Sequence, residues 1–93
     1  MENIEVKNNE EKQQFAADFN GKKAFINYKK QDGILNLTHT EVPPEFEGKG
    51  VGTRLVKQTL EQIKAEGTKI IPSCPFIANY IDRNPEYKSL IAD

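Results

Sequence analysis

Three glycines at alternate positions, in the run Glu47-Gly48-Lys49-Gly50-Val51-Gly52-Thr53-Arg54, carry the clearest chemical message in the chain. Without Cβ atoms at these positions, backbone N–H groups can approach a bound anion closely. A helix beginning there adds its positive end and its unpaired first-turn donors. Such a loop suits a phosphate or diphosphate, and Lys49, Arg54 and Lys57 add local positive charge. Two nucleotide motifs are excluded by spacing: no G-x-x-x-x-G-K-[ST] occurs, and G-x-G-x-x-G from Gly48 would need glycine where Thr53 stands. A flexible strand-to-helix connection that binds nothing is the plain alternative.

Ser73-Cys74-Pro75-Phe76 is a second cluster. With Pro75 as the first helical residue, Cys74 becomes the N-cap, where the helix dipole favours a thiolate. A small buried hydrophobe is the other reading of a free cysteine, and residue type does not separate the two. His39 and Glu41 alternate on the polar end of a strand, so a regular strand turns both toward one cleft, where either accepts a proton from a nucleophile. A structural histidine and a solvated carboxylate are the competing readings. Tyr80 is either a proton donor to a leaving group or a packed ring at helical spacing from Phe76.

The elements that must position these residues follow from periodicity. Ile4 and Val6, then Phe15, Ala17 and Phe19, then Ala24, Ile26 and Tyr28 alternate with polar neighbours as short strands do. Asn20-Gly21 and Asp32-Gly33 are reversal signals between them. A fourth strand, Ile34 to Val42, begins apolar and ends polar, and an irregularity between its halves would re-aim side chains and free backbone N–H groups. Pro43-Pro44 stops it. Val51, Leu55, Val56, Leu60 and Ile63 then form the apolar stripe of a helix over 51–66, closed by Gly67. Lys69-Ile70-Ile71 reads as a buried strand, and a second helix between Pro72 and Asn84 shows Phe76, Ile77, Tyr80 and Ile81 on its apolar side. The order β-β-β-β-α-β-α predicts an α+β fold, an antiparallel β-meander followed by β-α-β-α, in a single domain over residues 1–93.

Composition narrows the function classes. Thirteen Lys and Arg against fourteen Asp and Glu leave a net charge of −1, so bulk attraction to nucleic acid or anionic membrane is not expected. One cysteine and one histidine are a poor start for a metal site and close no internal disulfide. No secretory leader and no run of eighteen apolar residues is visible. A cytoplasmic, metal-free monomer is expected.

The run Leu37-Thr-His-Thr-Glu-Val-Pro-Pro-Glu-Phe-Glu-Gly-Lys-Gly-Val-Gly-Thr-Arg-Leu, with Ile71-Pro-Ser-Cys-Pro-Phe and Asn84-Pro-Glu-Tyr, resembles a compact branch of the GNAT superfamily of N-acetyltransferases. The resemblance spans nearly the whole chain, most specifically residues 37 to 90. It implies acetyl-CoA as co-substrate, no metal, and transfer of acetyl to a primary amine, with a protein lysine one candidate. It places the diphosphate of coenzyme A on Glu47 to Gly52, with Thr53 and Arg54 beside it. Glu47 departs from the family's Gln/Arg-x-x-Gly-x-Gly/Ala loop, so binding rests on backbone amides. The resemblance further implies a V-shaped slot for the pantetheine arm, bordered by residues 38 to 42, hence by Thr40 and Val42. His39 or Glu41 matches the base loosely, and Tyr80 the acid. Cys74 lies near the cofactor sulfur, as acetyl carrier, disulfide partner or pocket wall. Helices between the first strands and added C-terminal strands, usual in the family, are missing, which leaves the acceptor side open. A non-catalytic CoA-binding or interaction module is the alternative function.

Overall fold

The computed structural model describes residues 4–19 and 21–92, with side chains for all of these but Phe19. Strands β1 (Lys7–Asn9), β2 (Gln14–Phe19), β3 (Lys22–Gln31) and β4 (Ile34–Glu41) pair antiparallel in chain order. Helix α1 (Val51–Glu66) then crosses over so that β5 (Lys69–Pro72) joins β4 in parallel, and helix α2 (Pro75–Arg83) follows. The sheet order is β1-β2-β3-β4-β5, the α+β arrangement expected from the sequence. Between β3 and β4, Asp32 and Gly33 have φ of 53° and 78°, the paired positive values of a two-residue hairpin turn. Of the other expected turn, Gly21 has φ 82°, and Asn20 lies outside the described residues.

One face of the sheet is buried, through Phe15, Ala17, Ala24, Ile26, Leu35, Leu37 and Ile70. The stripe Val51, Leu55, Val56, Leu60 and Ile63 of α1, no more than 1% exposed, closes on it with Ile77 and Ile81 of α2. Helix α1 ends at Gly67, φ 74°, whose N–H donates to the carbonyl of Lys64 while the N–H of Thr68 donates to that of Ile63, the pattern glycine permits after a last turn. The opposite face of the sheet carries Phe25 and Asn27 and has no helix over it among the described residues.

Two local expectations change, and the tail takes a form left open by the sequence. Ile4 and Val6 are buried but precede β1; their carbonyls accept from the side-chain amides of Gln58 and Gln62, at 2.8 and 2.7 Å, and so have no need of a strand partner. Strand β5 is buried on one face only: Ile70 is in the core and Ile71 is exposed, because no layer covers the outer face. The segment after α2 is a 3₁₀ helix, Pro85–Leu90, and Ile91 beyond it bridges to Ile70.

Tyr87, on that 3₁₀ helix, is buried and donates to Glu61 Oε2 at 2.5 Å, tying the segment to α1. Burial, then the neighbouring carboxylate, pushes the phenol above its ordinary pKa. The stabilisation from this raised value is complete below the unfolded value of about 10 and is lost as pH climbs toward the folded one. Tyr87→Phe is expected to lower unfolding free energy by about 1 kcal/mol at neutral pH. Urea titrations of the two proteins should show that gap narrowing above pH 10.

Candidate functional site

Strand β4 changes character at Thr38. Leu37 pairs with Tyr28 and His39 with Asn27, so Thr38 is an extra residue with no counterpart on β3. Its hydroxyl donates to the Asn27 carbonyl at 3.3 Å. An inserted residue reverses the alternation that follows it. Thr40 therefore stands opposite the core residue Ile26, whereas His39 and Glu41 stand opposite Asn27 and Phe25 on the uncovered face. A regular strand would have put His39 and Glu41 with Leu35 and Leu37; the irregularity considered from the sequence is present and turns them to the other face. His39 Nε2 lies 3.1 Å from Glu41 Oε1, both side chains are more than half exposed, and the imidazole is 6.4 Å from the Phe25 ring.

The pairing of β4 with β5 stops at Leu37 and Pro72. One further bond continues the line, the Cys74 N–H donating to the Leu37 carbonyl at 3.0 Å. Past that point β4 runs on without β5 beside it, because β5 ends at Pro72. Cys74 is the N-cap of α2 with Pro75 at the helix start, and its carbonyl accepts from Ile77 and Ala78. Its thiol is 6% exposed and shares a hydrogen bond with the Thr40 hydroxyl, 3.4 Å away. That contact joins the bulged end of β4 to the head of α2.

After Pro43, a 3₁₀ turn over Pro44–Phe46 leads into the glycine loop, and Lys22 holds it from the start of β3 through a 2.7 Å ion pair with Glu45. The ammonium beside Glu45 keeps that carboxyl below its ordinary pKa. Gly48 and Gly50 have φ of 77° and 78°, with open space where a Cβ would project. Gly50 caps α1, whose first internal bond runs from the Arg54 N–H to the Gly50 carbonyl at 3.1 Å. The amides of Val51, Gly52 and Thr53 therefore have no helical acceptor. Gly52 is glycine for another reason: a Cβ there would lie 3.0 Å from Cζ of Phe76.

These pieces enclose a cleft of about 480 Å³. Thr40 and Val42 border it from β4; Glu47, Gly48 and Gly50 from the loop; Val51, Gly52 and Thr53 from the first turn of α1. Eight of the residues singled out from sequence thus meet at one place. Lys49, Arg54 and Cys74 do not line it. Lys49 is exposed, Arg54 shares a separate hollow with Lys57, Gln58 and Glu61, and Cys74 sits behind Thr40. Tyr80 is not at the cleft either: its ring is buried 6.0 Å from that of Tyr87, because at its position on α2 the side chain faces the core, where burial raises its pKa. Two lining residues were missed, Phe46 and Phe76. Phe76 had been assigned to the apolar side of α2, yet it is 42% exposed; Phe46 has no signal in its Pro- and Glu-rich surroundings.

The residues present suit a diphosphate such as that of coenzyme A. First-turn amides border the cleft at a helix start, and no Cβ obstructs Gly48 or Gly50. Glu47 is the only charged residue among those lining the cleft, so an anion there would meet backbone donors and no cationic side chain of the lining.

The profile of a family described as GCN5-related N-acetyl-transferase matches residues 14–90. Protein NATD1 of chicken is 32% identical over 85 residues, covering 88% of this chain and 77% of that protein. Human protein NATD1 shows 32% identity over the same length, with 75% of it covered. Among solved structures, a GCN5-like protein from Staphylococcus aureus, determined by NMR in solution, superposes with a TM-score of 0.71 at 30% identity, covering 99% of this chain and 91% of that one.

Proposed function

The chain belongs to the GCN5-related N-acetyltransferase family, and from that premise we propose that it binds acetyl-CoA in the glycine-loop cleft and acetylates a primary amine, such as a protein lysine. Members of this family generally use acetyl-CoA, which supplies an acyl group already activated as a thioester. The observation that carries the reading is the meeting of the first-turn amides of α1 with the end of β4 that extends past β5 in one cleft. Gly48 to Thr53 hold the diphosphate. Thr40 and Val42 border the arm that leads from it, and Thr40 with Cys74 closes the end near the sulfur.

An acceptor amine reaching that end of β4 from the uncovered face of the sheet meets His39 and Glu41, adjacent in the strand to Thr40 but turned the other way. There the pair takes the proton that the amine must lose to attack the thioester carbon. Most of the acceleration comes from holding the two reactants together, an effect that can reach about 7–11 kcal/mol. The uncovered face beside His39 and Glu41 favours a second reading, a CoA-binding module without turnover, because no element among the described residues encloses an acceptor amine there.

An amide-resolved NMR titration with acetyl-CoA tests the binding, with the largest shifts expected at residues 48–54. A titration that leaves those amides unmoved overturns it. Release of CoA in the presence of lysine peptides tests the transfer; binding without release leaves the second reading standing.

A further inference from the structure

Phe76 is one of the two large hydrophobic side chains exposed among the described residues, and it stands at the mouth of the cleft, not on an outer surface. Its ring lies across the first turn of α1. Of the six glycines, Gly52 alone has anything within 4 Å of its would-be Cβ, and the nearest atom is Cζ of Phe76 at 3.0 Å, with Val42 at 3.4 Å. Gly52 has no positive φ to require glycine, so its missing side chain makes room for the ring. The residue following Gly52, Thr53, offers one of the unpaired amides. An aromatic wall and an anion cradle are thus built into the same turn of helix.

We propose that Phe76 is the specificity-determining residue of the cleft, its ring packing on the apolar pantoyl segment of the donor next to the diphosphate. This rests on the acetyl-CoA reading above. In coenzyme A a single methylene separates the diphosphate from a carbon bearing two methyl groups, the first apolar group a ligand anchored at Gly48 to Thr53 presents. Nucleoside diphosphates also carry a diphosphate, with one more ionisable oxygen at its end, and lack that group. Phe76 therefore makes the cleft select pantetheine-bearing diphosphates over plain nucleotides, a choice that the amides alone cannot make, because they see only phosphate oxygens. Burying the exposed ring against methyl groups also gains apolar area, and the ring already rests beside Gly52.

The test compares dephospho-CoA with ADP, which lacks the pantetheine arm and ends in a free phosphate with one more ionisable oxygen, by calorimetric titration. The parent protein is expected to bind dephospho-CoA more tightly than ADP. Phe76→Ala should weaken dephospho-CoA about tenfold, a factor equal to about 1.4 kcal/mol, and leave ADP within about twofold. Phe76→Leu keeps an apolar wall and should recover most of the loss. Gly52→Ala, which displaces the ring from the first turn of α1, should weaken dephospho-CoA as well. Melting curves of the three variants verify folding; Phe76 is exposed enough that its truncation leaves the core intact. If the parent binds dephospho-CoA and Phe76→Ala leaves the ratio of the two affinities unchanged, the role of Phe76 is overturned and the acetyl-CoA reading survives. If the parent binds neither dephospho-CoA nor acetyl-CoA, both fall.

Discussion

Leu37→Ala is expected to lower the unfolding free energy by about 3 kcal/mol, the middle of the range for truncating a buried leucine. For a chain of this size that amounts to a fall in Tm of about 15 °C. Leu37 is fully buried, and three features converge on it: it pairs with Tyr28 just before the bulge, it is the last residue of β4 to pair with β5, and its carbonyl receives the Cys74 N–H. The cavity opens under the point where the two strands part, so Thr40 and Cys74 lose the support that keeps them in contact. Thermal unfolding followed by circular dichroism checks the magnitude. His39→Ala, two residues along but exposed, should change stability by less than about 0.5 kcal/mol. Similar losses for the two variants would show that the core does not extend to the end of β4.

Gly50→Ala is expected to weaken acetyl-CoA binding by about tenfold or more, and Lys49→Ala by less than about threefold. A left-handed conformation costs a residue with a Cβ about 1–2 kcal/mol, and Gly50 has φ 78°. Nothing lies within 4 Å of the added methyl, so the penalty is conformational. The loop escapes it by rotating, and the amides that line the cleft rotate with it. Lys49, although cationic, lies outside the lining and in solvent, where an isolated charge contributes little. Calorimetric titration of both variants gives the comparison. Equal losses would mean that side-chain charge, rather than peptide amides, holds the anion.

Much of this was legible in the residues themselves. The stripe Val51, Leu55, Val56, Leu60 and Ile63 predicted α1 with its ends at 51 and 66, and Gly67 closed it as expected, since period and caps are properties of neighbouring residues. The same held for the turn at Asp32-Gly33 and the junction at Cys74-Pro75. What could not be read was orientation. Whether His39 or Thr40 faces the helices depends on Thr38 having no counterpart on β3, eleven residues away in the chain. Tyr80 and Phe76 stand four apart on α2, as a single apolar stripe requires; one meets Tyr87 in the core and the other meets Gly52 at the cleft.

Order of elements and the placing of Gly48 to Gly52 at the start of a helix are thus written in residue order, because turns, periodicity and missing Cβ atoms act over a few residues. The membership of the cleft needed the folded chain. Strand register and the seating of one side chain on another are settled between segments far apart in sequence, and a single inserted residue in β4 exchanged the two faces.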